Sequence, residues 1–269
     1  MKTQSKTASV IFAAGRGSRM KGYNGNKTLL PLISGDSPFD GGLPILPHIL
    51  DNLPDGPKAL VVNYKKGDVI AATEKFDLTY CEQPELNGTG GALLSAKSFI
   101  EEQDYHRLII TMGDVPLVKN STYERLLEKL EEQSMVVLGF RPFDKKQYGV
   151  LETDGSSVER ITEWKYWNGY PREKQDMLTI CNSGIYGVRK NEIMKYLRAL
   201  EQKPHIVAKE RNGEMVEVRE FFITDMIGLM YKDGLSVGYT IAEDEYEVMG
   251  IDDLAALKKA QEIFKQQSC

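Results

Sequence analysis

The chain has 269 residues, of which 41% are apolar and 27% are charged, and its formal net charge is −5. This composition is typical of a soluble globular protein, and the length allows one large domain or two smaller ones. The acidic balance argues against nucleic acid as a partner, and no apolar stretch reaches the roughly 18 residues that a membrane-spanning helix needs.

The N-terminal sequence and the cysteines favour a cytoplasmic location. The apolar run before Gly15 is too short for a signal peptide and leads directly into a motif, so the N-terminus is expected to be retained. Cys81, Cys181 and Cys269 are odd in number and lack metal-type spacing, which favours reduced thiols. The histidines are scattered and predict no catalytic set: His48, His106 and His205.

Short apolar runs alternate with helical patterns along the first half of the chain. Strands are predicted at 8–14, 59–64, 107–114 and 134–140, and helices at 89–100 and 121–133. The second of these helices has a capping-box pattern, with Ser121 as its N-cap and Glu124 three residues later. The alternation predicts an α/β fold with a mostly parallel central sheet and helices on both faces.

The sequence pattern changes after residue 145. Residues 148–164 alternate around a DGSS turn and predict a small β insertion, while 167–177 is predicted to be a polar loop. A further strand is predicted at 179–189, followed by amphipathic helices at 190–200, 224–234 and 252–266. Because no repeat or linker interrupts the chain, residues 1–269 are predicted to form a single domain.

The segment VIFAAGRGSRMKGYNGNKTLLPL, residues 10 to 32, joins a buried strand to a glycine loop. Gly15 and Gly17 would let backbone amides approach a phosphate, although an ordinary strand-to-helix turn also explains them. The Rossmann fingerprint fails at Met20, and the Walker pattern fails at Asn26, which stands where glycine would precede the lysine.

Arg19 and Lys27 are the basic residues of this segment. The planar fork of arginine grips two phosphate oxygens, and the ammonium of lysine is a compact point charge. Together they suit a triphosphate that is attacked at its α-phosphorus, where the lysine stabilises the reacting phosphate and the arginine holds the departing pyrophosphate. The alternative is that both are solvated surface charges.

Two acidic segments offer candidate ligands for Mg²⁺. Asp114 ends an apolar strand, and open α/β sheets bind ligands at the carboxyl ends of their strands. A second carboxylate is expected from Asp252 or Asp253, which lie where a helix begins. Carboxylate oxygens suit this hard cation, which keeps several waters. Loop capping by Asp114 and helix capping by the other two are the alternatives.

The stretch CEQPELNGTGGALLSA, residues 81 to 96, predicts a loop that opens a helix. Its backbone amides and the side-chain amide of Gln83 are donor and acceptor groups of the kind that read a nucleobase edge. A surface position for Gln83 is the alternative interpretation.

Taken in order, these segments resemble the sugar-nucleotide pyrophosphorylases, and most closely the N-terminal uridylyltransferase domain of the bifunctional bacterial enzymes that make UDP-N-acetylglucosamine. The family signature L-A-A-G-x-G-T-R-M, a spacer and P-K reads here FAAGRGSRM and then Asn26 and Lys27. Later segments that match the family in order are EQPELNGTGGA, MGDVPL, YGVLETDG, ITEWK, CNSGIYGV, EFFITDMIGLMYKDG and EVMGIDDLAALKKA.

The resemblance implies a Rossmann-like domain of the glycosyltransferase-A type. It implies transfer of a nucleotidyl group from an NTP, with UTP favoured, to a sugar 1-phosphate such as N-acetylglucosamine 1-phosphate, with release of pyrophosphate. The alternatives are another hexose phosphate, a phosphorylated alcohol, or a non-catalytic sensor of sugar nucleotides. The expected partners are these two substrates, without nucleic acid or membrane, and a homo-oligomer is left open.

The resemblance also implies roles for individual residues. Arg19 and Lys27 are expected to be catalytic, and Asp114 and Asp252 to bind Mg²⁺. Nucleotide contacts are expected from Ala13, Ala14, Gly15, Gly17, Gln83, Gly88 and Thr89. Sugar-phosphate contacts are expected from Gly149, Glu163, Asn182 and Thr224, in a sugar-side region of about 145–225.

Three departures from the family pattern stand out. The sequence stops at Cys269, so the acetyltransferase β-helix of the bifunctional enzymes is expected to be absent, and no acetyl transfer is expected. Met112 stands where the family has an aromatic residue before Gly-Asp, and loop 167–177 looks individual. Both predict that the sugar pocket differs from that of the relatives.

Overall fold

Nine strands form one central sheet in the computed structural model, which describes residues 6–211 and 214–267. Retention of the N-terminus and the position of Cys269 lie outside these residues. Four further strands form two separate hairpins, β2 with β3 and β11 with β12. In chain order, the strands of the described residues are β1 (Thr7–Phe12), β2 (Pro31–Ser34), β3 (Gly41–Pro44), β4 (Lys58–Val62), β5 (Leu78–Glu82), β6 (Arg107–Met112), β7 (Met135–Phe140), β8 (Val150–Asp154), β9 (Ser157–Thr162), β10 (Cys181–Arg189), β11 (His205–Arg211), β12 (Glu214–Glu220) and β13 (Val237–Ile241).

Helices connect the strands and cover the sheet. They are α1 (Ile45–Asn52), α2 (Lys66–Thr73), α3 (Thr89–Ser95), α4 (Lys97–Glu102), α5 (Asn120–Lys129), α6 (Trp164–Trp167), α7 (Arg172–Met177), α8 (Lys190–Glu201), α9 (Ile223–Lys232) and α10 (Leu254–Gln267). Short 3₁₀ helices span Lys27–Leu29 and Glu245–Val248. No helix in the described ranges is long and apolar enough to cross a membrane.

The sheet order is β5-β4-β1-β6-β10-β7-β13-β9-β8. Strands β5, β4, β1 and β6 are parallel neighbours, as are β7 and β13, whereas β10 lies antiparallel between β6 and β7. The predicted α/β, Rossmann-like class is therefore confirmed, but the sheet is mixed, whereas the sequence predicted a mostly parallel one. The hairpin of β8 and β9 completes one edge of this sheet by pairing with β13, so it belongs to the main sheet.

Neighbouring residues of the central strands face opposite sides of the sheet, and helices bury both sides. In β7, Val136 and Leu138 belong to the buried cluster that includes residues of α1, α5 and α10, whereas Val137 belongs to the cluster that includes residues of α3, α8 and α9. Burial on both faces explains why this strand is a continuous apolar run. It also confirms the prediction that helices cover both sides.

The capping box predicted for residues 121–133 is wrong. Helix α5 begins at Asn120, and its N-cap, Lys119, has no side-chain cap of its own. Instead, the backbone N–H of Lys119 donates to Glu247 Oε1 at 3.2 Å, and the hydroxyl of Thr122 donates to the same oxygen. A carboxylate from a distant segment thus takes the place of Glu124 and stabilises the helix N-terminus.

The prediction of a polar loop at 167–177 is also wrong, because residues Arg172–Met177 form α7. None of the residues in this helix is buried, so the sequence carries no amphipathic signal for it. An ion pair between Arg172 Nε and Asp176 Oδ1, at 3.1 Å, spans one helical turn. The predicted helix 89–100 is divided into α3 and α4, with Ala96 between them.

Candidate active site

Four charged side chains from separate parts of the sequence meet at the carboxyl ends of β1 and β6. The ammonium of Lys27 contacts the carboxylate of Asp114 and lies 3.1 Å from Asp252 Oδ1. Arg19 Nη2 lies 2.8 Å from the same oxygen of Asp252. We call these four residues the charged cluster. The sequence proposed all four as site residues, and the structure brings all four together.

The short 3₁₀ helix that carries Lys27 is fixed by Asn26, which is only 1% exposed. Asn26 Oδ1 accepts hydrogen bonds from Thr28 N at 3.0 Å and Thr28 Oγ1 at 2.9 Å, and its Nδ2 donates to Tyr64 O at 2.8 Å. Gly17, at φ +61°, lies so close that an added Cβ would be 3.2 Å from the Lys27 stem. Asparagine therefore serves as a cap where the family pattern has proline.

Replacing Asn26 by alanine is expected to lower the free energy of unfolding by about 2 kcal/mol. The change removes a buried cap and leaves the carbonyl of Tyr64 without this donor. Urea titration measures the effect, with Asn24→Ala as the control because residue 24 is exposed in the same loop. Equal losses in the two variants would contradict a capping role for residue 26.

Asp114 and the segment before α10 are joined through the backbone. Ile251 N donates to Asp114 O at 2.8 Å, which holds Asp252 next to the end of β6. Gly113 N donates to Phe12 O at 2.9 Å, and a Cβ at Gly113 would lie 2.8 Å from that oxygen. These contacts fix both aspartates on adjacent backbone segments.

The two neighbouring acids before α10 have different surroundings. Asp253 Oδ1 accepts a hydrogen bond from Ala256 N at 2.9 Å and so caps the helix. Asp252 instead faces Arg19 and Lys27 in the charged cluster. Of the two candidates that the sequence left open, Asp252 is the one that lies at the site.

The burial of Lys27 decides whether this residue is a solvated surface charge, the alternative that the sequence left open. Only 12% of its side chain is exposed, so the interpretation as a solvated surface charge is wrong for this residue, although Arg19 is 71% exposed. Burial alone would lower the pKa of Lys27, but the carboxylates of Asp114 and Asp252 outweigh it and raise the pKa above its ordinary value. Lys27 is therefore a charged ammonium held between two carboxylates.

The chemistry of this pair of carboxylates fits a divalent cation. Asp114 and Asp252 already share one cation, the ammonium of Lys27. Among residues 6–211 and 214–267 there is no cluster of three or more acidic, histidine or cysteine ligands. Two carboxylates with waters and phosphate oxygens are a usual set for Mg²⁺, so the residues present fit that ion.

A cavity of about 1000 Å³ lies near the end of β6, and none of the four cluster residues lines it. Met112, two residues before Asp114, forms part of its wall, and the sugar-side candidates Glu163, Asn182 and Thr224 line it as well. Thr89, which the sequence placed with the nucleotide, also lines this cavity. Aromatic side chains complete much of the wall: Trp164, Tyr166, Tyr170, Tyr186 and Phe222.

The sugar-side candidates are held by local hydrogen bonds. Asn182 Oδ1 accepts from Gly184 N at 3.0 Å, and its Nδ2 donates to the hydroxyl of Tyr186 at 2.9 Å. Gly149 contributes no wall to the cavity; its carbonyl accepts from Asn182 N at 2.8 Å. Burial raises the pKa of Glu163, Lys165 opposes this shift, and Asp225 adds to it.

The loop at 83–88 is packed against the segment before α9. Gln83 is only 4% exposed, so a surface position is wrong; its Nε2 donates to Asn87 Oδ1 at 3.0 Å and to Gly88 O at 3.3 Å. The amide hydrogens of Gln83 thus hold the loop. The side chains of Ala13 and Ala14 are buried, so any nucleotide contact from them would come from backbone atoms, whereas Gly15 is open to solvent.

Replacing Gly88 by alanine is expected to destabilise the protein by at least about 2 kcal/mol. Residue 88 has φ +92°, and an added Cβ would lie 2.3 Å from Phe221 O, so backbone must move. Gly67→Ala in α2 is the control, since a Cβ there meets nothing within 4 Å. Thermal unfolding compares the two, and an unchanged midpoint for Gly88→Ala would contradict the tight contact.

Residues 9–165 match a family model described as MobA-like NTP transferase domain. The chain belongs to this family. Its N-terminal segments, including the glycine loop, Lys27 and Asp114, all fall within the matched part. The MobA-like NTP transferase family thus accounts for the resemblance to sugar-nucleotide pyrophosphorylases, and the chain is a nucleotidyltransferase of that kind.

One relative of this MobA-like chain and two solved structures that share its fold illustrate the similarity. The bifunctional protein GlmU of Brucella anthropi is 31% identical over 265 residues, which cover 96% of this chain and 52% of that protein. A CMP:2-keto-3-deoxy-manno-octonic acid synthetase complexed with CTP shares the fold at TM-score 0.64 and 16% identity, covering 98% of this chain and 100% of the other. A nucleotidyl transferase from Methanothermobacter thermautotroptrophicus shares it at TM-score 0.60 and 16% identity, covering 97% and 99%. The chain spans about half the length of the GlmU relatives that it matches.

Some cavity residues of this MobA-like domain were missed from the sequence. His205 begins β11, lines the cavity, and places Nε2 2.8 Å from Asp225 Oδ2. The alternation HIVAKER is a strand signal that predicts β11, but nothing local indicates that it meets α9. Arg160 of β9 also lines the cavity, paired with Glu152 of β8.

Proposed function

We propose that the chain transfers a nucleoside monophosphate from an NTP, with UTP preferred, to a sugar 1-phosphate, and releases pyrophosphate. N-acetylglucosamine 1-phosphate is the first acceptor to test, because the GlmU relatives align with nearly the whole chain. The observation that carries the proposal is the charged cluster itself, which lies at the end of β6, the strand whose last residue, Met112, lines the large cavity. Such a site has room for a triphosphate tail beside an acceptor.

The proposed reaction is a single in-line displacement. An oxygen of the acceptor phosphate attacks the α-phosphorus of the NTP, the new P–O bond forms, and the bond to pyrophosphate breaks. Lys27 binds the α-phosphate oxygens and Arg19 binds the departing pyrophosphate, so both lower the energy of charge that develops in the transition state. Bound by Asp114 and Asp252, Mg²⁺ would supply further neutralisation of the triphosphate.

Lys27 has two positions in this proposal. Without a ligand its charge is satisfied by the two aspartates. Once those carboxylates hold a cation, the ammonium is free to turn toward the phosphates, because its carboxylate partners are then neutralised. The nucleotide-side loop would lie along Gly15 and Gly17, with Gln83 and Gly88 next to the base.

The alternatives are another hexose phosphate or a phosphorylated alcohol as acceptor, and a sensor that binds sugar nucleotides without turnover. The assembled charged cluster favours an enzyme over a sensor, because binding alone does not need a buried lysine between two carboxylates. A cytoplasmic location is consistent with the buried free thiols Cys81 and Cys181.

A matrix of four NTPs against a set of sugar 1-phosphates tests the proposal, with pyrophosphate release as the readout. The expected result is release that requires Mg²⁺, is fastest with UTP, and occurs with at least one sugar 1-phosphate. Asp114→Asn is the inactive control. Tight binding of UTP with no pyrophosphate from any acceptor would support the sensor instead.

A further inference from the structure

Glu152 of β8 is a buried carboxylate, 8% exposed, that holds four other side chains together. Its Oε1 accepts hydrogen bonds from Thr162 Oγ1 at 2.6 Å and from the hydroxyl of Tyr170 at 3.0 Å. Its Oε2 lies 3.0 Å from Arg160 Nη2 and 3.3 Å from Lys174 Nζ. One side chain therefore joins β8, β9 and the segment that contains α7.

Three of these partners form part of the wall of the large cavity: Arg160, Thr162 and Tyr170. Glu152 lies behind that wall. Lys174 supports the same place, because its Nζ lies 3.7 Å from the centre of the Tyr170 ring. The ring of Tyr170 is thus fixed at its hydroxyl by Glu152 and on its face by Lys174.

Arg160 keeps N–H donors that a ligand in the cavity can use. Glu152 engages Nη2 of Arg160, and a guanidinium has five N–H donors. The side chain of Arg160 is 56% exposed although it lines the cavity, whereas the side chain of Glu152 is only 10% exposed. Glu152 therefore fixes the direction of an arginine whose other donors still reach the cavity.

Glu152 keeps its charge under assay conditions. Burial would raise its pKa, but hydrogen bonds from Arg160, Thr162 and Tyr170 lower the pKa to about 2. Glu152 and Lys174 lie behind the wall, whereas Arg160 lines it. The N–H donors that Arg160 keeps favour ligand atoms that accept hydrogen bonds.

We infer that Glu152 is a positioning residue for the acceptor: it holds Arg160 and Tyr170 so that they bind the ring oxygens of a sugar phosphate. The inference rests on the proposed function and deepens it, because it names the residues that would orient the acceptor. Glu163 and Asp225, the carboxylates that line the same cavity, are not among the groups that contact Glu152.

The test is a double-mutant cycle of Glu152→Gln and Arg160→Met, with KM for acceptor, KM for UTP and kcat measured for each variant. Each single change is expected to raise the acceptor KM by about tenfold, as loss of one charged hydrogen bond does. The UTP KM and kcat should stay within about threefold, because the lost contacts are to the acceptor alone. In the double variant, Glu152→Gln should add less than its full single-variant effect to that of Arg160→Met, because the Arg160 contact is already lost and only the contact with Tyr170 remains to be removed.

Glu201→Gln is the matched control, since Glu201 pairs with Lys97 at 2.8 Å on the surface, and its kinetics should equal the wild type. If Glu152→Gln does not fold, Arg160→Met still decides, because that side chain is exposed. Fully additive effects, or an unchanged acceptor KM for Arg160→Met or for a folded Glu152→Gln variant, would each overturn the inference while the proposed function stands. Wild-type protein that releases no pyrophosphate with any acceptor would overturn both.

Discussion

Replacing Lys27 by methionine is expected to lower turnover by about 10³-fold while the protein stays folded. In the proposed reaction its ammonium is the closest protein cation to the reacting phosphate, and loss of one such group from a catalytic site typically removes a factor of this size. Pyrophosphate release at saturating UTP and acceptor measures the effect. Lys66→Met is the control, because Lys66 forms an exposed pair with Glu82, Nζ to Oε2 at 2.6 Å.

The same variant carries a second expected result. Without the ammonium, the carboxylates of Asp114 and Asp252 face each other with less compensation, so the melting temperature should fall modestly and should rise on addition of Mg²⁺ by more than in the wild type. Turnover within about threefold of the wild type would show that Lys27 is structural and would remove it from the reaction.

Replacing Asp252 by asparagine is expected to lower turnover by about 10²- to 10³-fold and to raise the Mg²⁺ concentration needed for half-maximal rate, because one of two carboxylate ligands is lost. Its neighbour offers a matched control. Asp253→Asn keeps a side chain that caps α10 equally well, so its turnover should stay within about twofold.

Binding of Mn²⁺ to the nucleotide-bound protein, followed by electron paramagnetic resonance, checks the metal ligands without relying on turnover. Asp114→Asn and Asp252→Asn should both weaken binding, and Asp253→Asn should not. Equal weakening in the two adjacent variants would contradict the division of roles that the structure shows between Asp252 and Asp253.

The fold was predictable where burial leaves a regular pattern. The strands that became β1, β4, β6 and β7 are apolar runs because helices cover both faces, and that pattern is visible in any one stretch of sequence. The α5 cap was not predictable, because its acceptor, Glu247, lies 128 residues from Lys119. Helix α7 was missed because it buries none of its residues.

Some residues of the candidate site could be predicted from the sequence and others could not. Lys27 and Asp114 belong to local motifs whose residue order indicates their chemistry, so the sequence alone proposes them. Glu152 contacts Arg160 on β9, and His205 contacts Asp225 on α9. Only the folded chain brings these partners close, so the local sequence does not indicate the contacts. The burial of Gln83 and the place of Thr89 on the cavity wall likewise follow from how α3 packs near Phe221 and Ile223.

A crystal structure with Mg²⁺ and a non-reacting UTP analogue tests most directly whether the charged cluster binds the triphosphate and its metal ion. We predict one cation bound by Asp114 and Asp252, with Arg19 and Lys27 within hydrogen-bond distance of phosphate oxygens. The α-phosphate should face the cavity beside Met112. A triphosphate bound away from these four side chains, or a cation that contacts neither aspartate, would contradict it.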